Sequence, residues 1–150
     1  MTMIEVRAAT PADRAAWLRM RQLLWPDETG SHASEIDTFF AGPRRMPLEA
    51  MIAFDAAGDA IGFAELSIRN VAESCTTDRV AYLEGWFVDA RWRRQGVGAA
   101  LVRACEAWAR EQGCTEFGSD TEIDNLDSAA AHVALGFTET EQLRTFLKRL

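Results

Sequence analysis

Two hydrophobic periods divide the chain. Short runs with strand spacing occur at "MIEVRAA", "LEAMIAFDA", "AIGFAELSIR", "RVAYLEGWFVD" and "CTEFGSD". Between them lie segments whose apolar residues recur three and four apart, as on one face of a helix. "TPAD" signals the first helix: Thr10 suits the N-cap, Pro11 the first helical position and Asp13 the third, where its charge meets the helix dipole. In "PADRAAWLRMRQLLW" the residues Trp17, Met20 and Leu24 share a face. Pro26 ends that helix at Trp25 by excluding the α region from the residue before it. "DETGSHAS" reads as a loop, followed by a short helix from Ser34 with Gly42 just past its end.

The second and third runs, joined by "AAGD", predict an antiparallel hairpin. "RVAYLEGWFVD" is the most apolar run and is expected at the centre of the sheet. A helix from about Val97 to Gln112 follows, with Val97, Leu101, Ala104, Cys105 and Trp108 in one stripe and Gly113 as its stop. "SAAAHVALG" reads as a further helix and "FTETEQLRTFLKRL" as one bent strand or a pair. The predicted order is β-α-α-β-β-β-α-β-α-β, a mixed-sheet, three-layer α/β fold. No repeat, low-complexity tract or linker divides it, so one domain over residues 1–150 is expected.

Between strand and helix stands "RWRRQGVG". A helix N-terminus offers unpaired N–H groups and positive potential, and glycines let an anion reach the backbone. Arg93, Arg94, Gln95, Gly96, Val97 and Gly98 therefore read as a pyrophosphate cradle, with Arg91 and Arg94 available for further phosphate charge. The stretch lacks both the Gly-Lys-Ser/Thr of a P-loop and the Gly-x-Gly-x-x-Gly of the dinucleotide fingerprint. A solvated turn before a helix is the plainer reading of these residues taken alone.

The chain carries 23 acidic and 16 basic side chains, net −7. That balance argues against nucleic-acid binding and suits a cationic partner, or simply solubility. Cys75, Cys105 and Cys114 are odd in number and lack Cys-x-x-Cys spacing, so neither a disulfide framework nor a metal site is expected. Cys105 is expected to pack in the core. No apolar run reaches membrane-spanning length and "MTMIEVRAATPADRAAW" shows no signal-peptide pattern, so no membrane association and a cytoplasmic location are expected.

Arg93, Gly96 and Gly98 resemble the Arg/Gln-x-x-Gly-x-Gly/Ala motif of the Gcn5-related N-acetyltransferases, whose loop binds the pyrophosphate of acetyl-coenzyme A. Asn125, Ser128, His132, Gly136 and Phe137 fall at the offsets of that family's fourth-helix pattern. Within it, "RQLLWPD", "GFAELSIR", "YLEGWFVD", "WAREQGCTEFGSDTEIDN" and "HVALGFTETE" are most similar to aminoglycoside 6′-N-acetyltransferases. The resemblance implies acetyl transfer from acetyl-coenzyme A to the 6′-amine of a polycationic amino sugar, by direct attack in a ternary complex. It also implies a homodimer and a role in antibiotic resistance.

It further implies that strands splay near the motif, so that main-chain groups at Trp86 and Val88 hold the acetyl carbonyl and the pantetheine arm. Asn125 belongs to the cofactor set. Asp120 is the first candidate to accept the amine proton and Glu84 the second, both lining the acceptor site with Trp25 and Glu141. Glu84 has a structural alternative in an ion pair with Arg69 or Arg79, and Asp120 in capping a turn. Trp25 is either a wall for a sugar ring or plain packing. His132 stands where many members have a tyrosine that protonates the thiolate; it either takes that role or is a hydrogen-bonded structural histidine. Val71 departs from the aromatic that relatives place there. Ser119, in "FGSDT", lies outside a Gly-x-Ser-x-Gly elbow. With only His32 and His132 present, no Ser–His or Cys–His nucleophile is supported. Other acceptors (a polyamine, another small amine, a protein N-terminus) and a non-catalytic coenzyme A sensor remain alternatives.

Overall fold

The computed structural model describes residues 3–150. Strands β1 (Glu5–Ala8), β2 (Glu49–Phe54), β3 (Ala60–Arg69), β4 (Val80–Val88) and β5 (Phe117–Ser119) lie side by side in chain order. The first four pair antiparallel; β5 runs parallel to β4, as the intervening crossover helix requires. The helices are α1 (Arg14–Leu24), α2 (Ser31–Ala41), α3 (Val97–Glu111) and α4 (Leu126–Ala134).

Two cores sandwich the sheet. On one face Trp17 and Met20 of α1 and Ile36 and Phe39 of α2 meet Ile52, Phe63 and Phe87. On the other, Val97, Leu101, Val102 and Cys105 of α3 meet Met51, Ile61, Leu66 and Leu83, with Phe137 beyond α4 packed alongside. Ile52, Phe63 and Leu66 are wholly buried and each contributes about 1.5–3 kcal/mol. The Cys105 thiol is part of this packing, and burial pushes its pKa up to about 12.

The entry to α1 follows the sequence. A single 3-10 turn, Pro11–Asp13, leads into it; Asp13 Oδ2 accepts from Thr10 N at 2.8 Å, and Arg7 donates to both carboxylate oxygens at 2.8 and 3.0 Å. The end of α1 at Leu24 and of α3 at Glu111, with Gly113 at φ +79°, also match.

Three expectations are corrected. α2 starts at Ser31 rather than Ser34, because Asp27 accepts hydrogen bonds from Thr29 and from the Ser31 hydroxyl and closes the turn early. The middle of the sheet is β3, not β4, since β4 is followed by one further strand. Residues 138–150 form no strand within the chain. They are exposed, Phe146 by 92% and Leu147 by 77%, and β5 ends after three residues.

Candidate active site

The ladder between β4 and β5 stops at the pair Leu83↔Ser119. Beyond it β4 continues to Val88 paired with β3 only. Asp89 N donates to Ile61 O at 2.8 Å, so residues of the same parity, Phe87 and Gly85, turn their main-chain groups toward β3. Trp86 and Val88 turn theirs toward the edge that β5 has vacated. The two strands thus part as a fork with main-chain donors on one prong.

A bulge sets which side chains face which side. Leu66 pairs with Leu83 and Glu65 with Gly85, leaving Glu84 as an extra residue. Leu83 lies in the α3-side core and Phe87 in the α1–α2 core, and after the bulge Trp86 and Val88 pack on the α3 side. Trp86 lies edge-on to His132 at 5.0 Å between ring centroids. A Cβ on Gly98 would stand 3.1 Å from Trp86 Cζ2, so the first turn of α3 rests on the indole. Trp86 Nε1 is the one buried side-chain polar atom without a hydrogen-bond partner among the described residues.

The arginine–glycine loop is built as an anion cradle. Arg94 and Gly96 adopt left-handed φ of 62° and 87°, and the first intrahelical bond is Ala100 N to Gly96 O at 3.0 Å. The N–H groups of Val97, Gly98 and Ala99 therefore have no helical acceptor. Gln95 Nε2 donates to Arg91 O at 2.9 Å and Arg93 Nε to Val88 O at 3.2 Å, which ties the loop to the fork. Asp89 accepts from the Arg91 main chain and guanidinium, so Arg91 is partly neutralised, whereas Arg94 makes no hydrogen bond among the described residues. Val97 keeps its side chain in the core and offers only its main chain. These groups fit a long ligand with a phosphate end and an amide-bearing arm, as acetyl-coenzyme A has. Asn125 caps α4, its Oδ1 accepting from Ser128 N at 3.1 Å, and its amide NH2 stays available.

The opposite face of the fork carries the acidic groups. Tyr82 donates its hydroxyl to Asp120 Oδ2 at 2.8 Å. Burial, and then this bond, raise the Tyr82 pKa well above its ordinary value, so the phenol stays a donor. Gly118 makes room for the ring, since a Cβ there would lie 2.9 Å from it. Arg69 stacks over the same ring at 3.5 Å from its centroid and donates twice to Glu84, at 2.8 and 2.9 Å. Ser67 adds a third bond to Glu84, at 2.6 Å.

Glu84 thus makes the ion pair with Arg69 that was one of its two readings, and Arg69 and Ser67 together bring three donors to its oxygens. Arg79, the other partner considered, instead donates to Gln112 O at 2.8 Å. Glu141 accepts from Ser74 at 2.7 Å, tying the C-terminal segment to the β3–β4 loop. Val71 in that loop is exposed.

Trp25 belongs to a polar cluster that the sequence reading missed. Arg21 and Glu65 are 6% and 2% exposed. Arg21 donates to both Glu65 oxygens at 2.7 and 3.0 Å and also to Glu35, while Trp17 Nε1 donates to Glu65 at 3.0 Å. Burial by itself opposes the Arg21 charge, and the bonds to Glu65 and then Glu35 outweigh it. Since Arg21 can only donate, His32 Nδ1, 3.1 Å from Arg21 Nη1, is an acceptor. His32 Nε2 then donates to Trp25 O at 2.6 Å. The cluster thus holds the turn after α1, and with it the Trp25 ring, against β4. Its only sequence signal is a Glu at an apolar position of β3.

His132 is held at both nitrogens. Nδ1 lies 2.7 Å from Ser128 O, and Nε2 lies 2.7 Å from Ser119 Oγ. The structure thus brings together a Ser–His pair that the sequence offered no reason to expect.

A model of the acetyltransferase (GNAT) family matches residues 17–137. The chain is 53% identical over 146 residues to the aminoglycoside N(6′)-acetyltransferase type 1 of Klebsiella aerogenes, covering 97% of this chain and 96% of that protein. It is 39% identical over 142 residues to the protein of that name from Stenotrophomonas maltophilia, covering 94% and 90%. Among solved structures, it superposes on AAC(6′)-Iy in complex with the bisubstrate analogue CoA-S-monomethyl-acetylneamine with a TM-score of 0.91, at 33% identity and 99% coverage of both chains. Against AAC(6′)-Ih from Acinetobacter baumannii the TM-score is 0.90, at 36% identity and the same coverage. A strand fork beside a glycine-turned helix start, carried on a backbone this close to those enzymes, means that the chain belongs to the acetyltransferase (GNAT) family.

Proposed function

We propose that this protein transfers the acetyl group of acetyl-coenzyme A to the 6′-amino group of an aminoglycoside, by direct attack in a ternary complex. The observation that carries the reading is the fork beyond Leu83 and Ser119. Main-chain groups of β4 turn into it, and Asp120 directly follows the last residue of β5. The relatives named for this activity support the acceptor class.

When bound, acetyl-coenzyme A supplies the activated acetyl group and a thiol leaving group. The α3 N-terminus, the main chain of residues 93–98 and the Arg94 guanidinium hold its pyrophosphate. Main-chain N–H groups at Trp86 and Val88 polarise the acetyl carbonyl and hold the arm, with the Asn125 amide. On the other face Asp120 binds the sugar ammonium and accepts its proton, with Tyr82 fixing the carboxylate's orientation. The Arg69–Glu84 pair holds Tyr82 in place, Trp25 walls the sugar ring, and Glu141 attracts a further ammonium group.

Residues 1–150 act in this reading as one acetyltransferase domain in the cytoplasm, where acetyl-coenzyme A is found, and confer aminoglycoside resistance. No helix among the described residues is long and apolar enough to cross a membrane. The active form is a homodimer in which residues 138–150 of each copy dock on the other; exposed Leu143, Phe146 and Leu147 support this. Sedimentation of the full chain and of a chain ending at Thr140 tests the assembly: a dimer and a monomer are expected.

The activity is tested by following free thiol release from acetyl-coenzyme A with kanamycin-type sugars, polyamines and peptides. Release with amino sugars alone is expected. Release with polyamines or peptides instead would overturn the acceptor assignment and leave the cofactor assignment standing.

A further inference from the structure

The buried network around Glu65 ends, through His32, on the main chain of Trp25. His32 lies in the first turn of α2 and is 7% exposed. It reaches back seven residues to Trp25, across the turn at residues 26–30. We propose that His32 is a positioning residue for the acceptor site, fixing the Trp25 indole by joining the Trp25 carbonyl to the Arg21–Glu65 pair. The proposal rests on the reading of Trp25 as a wall for the sugar ring and names what holds that wall.

Each link of the network has one direction. Glu65 of β3 takes two bonds from Arg21 and one from Trp17, which fixes the guanidinium in the core. A guanidinium has no acceptor, so Arg21 Nη1 donates to His32 Nδ1 at 3.1 Å. A nitrogen that accepts carries no proton. The neutral ring therefore keeps its proton on Nε2 and donates it to Trp25 O at 2.6 Å. The buried cation thus selects the one tautomer that can hold this carbonyl. No other group donates to Trp25 O among the described residues.

The same two side chains flank the indole. The Trp25 and His32 rings stack at 6.4 Å between centroids, and the Arg21 guanidinium lies 5.5 Å from the indole centroid. Helix α1 holds Trp25 by its N–H alone, at 2.8 Å to Arg21 O. The next residue, Pro26, has no N–H to offer. The carbonyl side of Trp25 therefore depends on His32. Trp25 keeps 36% of its surface exposed, while the groups that set its ring are themselves buried. A wall ordered before the sugar arrives need not be ordered by it, which favours binding.

The test compares the wild-type enzyme with His32→Phe and His32→Gln, each with and without Trp25→Ala. Phe keeps a ring and removes both bonds; Gln offers one acceptor and one donor on a planar amide. Initial rates with a kanamycin-type sugar and acetyl-coenzyme A varied in turn give the two KM values. One net hydrogen bond corresponds to about two- to tenfold. His32→Phe should raise KM for the sugar by about that factor and leave KM for acetyl-coenzyme A unchanged. His32→Gln should recover most of the loss. In the Trp25→Ala background His32→Phe should add nothing, because no indole remains to be positioned. In protein labelled with fluorotryptophan, the fluorine resonance that Trp25→Ala removes should shift or broaden in His32→Phe and return in His32→Gln.

An unchanged sugar KM in His32→Phe, an equal rise in both KM values, or the same effect with and without Trp25 would overturn the proposal. If His32→Phe does not fold, His32→Leu is read in its place. The ring nitrogen resonances of wild-type His32 then check the link to Arg21, and a proton on Nδ1 overturns it. Absence of transfer by the wild-type enzyme to any amino sugar would overturn the acceptor assignment instead, while the fluorine resonance still reports whether His32 holds Trp25.

Discussion

The Trp25 indole lies so close to Gly85 that a Cβ on residue 85 would stand 2.4 Å from Trp25 Cη2. The helix-end tryptophan and the strand glycine form one unit: the missing side chain is the seat of the ring. Both adjoin the Glu84 bulge, so the ring covers β4 where it turns toward the fork. Gly85→Ala must displace the indole. The expected outcome is a severalfold rise in KM for the amino sugar, with KM for acetyl-coenzyme A unchanged, read from initial rates with each substrate varied in turn.

Removing one partner of a buried ion pair strands the other. Arg21→Met would leave Glu65 buried with only Trp17 as donor, and should cost about 3–5 kcal/mol in urea unfolding. The double change Arg21→Met with Glu65→Gln should recover part of that loss, since no uncompensated charge remains.

Asp120 and Tyr82 separate binding from orientation. Asp120→Asn should lower kcat strongly while calorimetric affinity for coenzyme A is kept. Tyr82→Phe keeps the carboxylate and removes one bond to it, so its kcat should fall less. A comparable loss of coenzyme affinity in Asp120→Asn would place that residue outside the acceptor site.

The two glycines of the anion loop are required for different reasons. Gly96 has open space around its missing Cβ, but its φ is +87°; Gly96→Val therefore introduces backbone strain of about 1–3 kcal/mol. Gly98 lacks that strain and sits against Trp86. Gly96→Val should weaken coenzyme A binding by calorimetry, and Gly98→Ala should also shift the fluorescence of the Trp86 indole.

The Asp13 carboxyl is held below its ordinary pKa, first by the hydrogen bond from Arg7, against the opposing effect of burial. Its stabilisation is therefore present above the unfolded value of about 3.9 and is lost as pH falls through the folded one. Arg7 is partly exposed, so solvent screening keeps the effect on the order of 1 kcal/mol. The Tm difference between wild type and Asp13→Asn should be largest near neutrality and shrink below about pH 4.

Elements specified by neighbours in sequence were legible there. The Thr10–Asp13 entry to α1, the stop at Trp25 and the β2–β3 hairpin follow from capping, proline and turn chemistry acting over a few residues. So does the Arg93–Gly98 loop with α3 behind it, because a glycine-turned helix start depends on its own backbone. The fourth-helix spacing likewise put Asn125 and His132 on or beside α4.

The tertiary structure alone decided which partner each charged group took. Glu84 had Arg69 and Arg79 within reach of argument, and a one-residue bulge in β4 directed it to Arg69 and Ser67. Arg21 and Glu65 are 44 residues apart, and Ser119 and His132 are brought together only by α4 packing beside the end of β5. The C-terminal segment carries a strand pattern yet forms no strand within the chain, since periodicity reports which faces are apolar and not which edge will pair. Local sequence encodes backbone conformation through short-range sterics and hydrogen bonds. The contacts that make the site depend on register and packing between distant segments, which no local pattern contains.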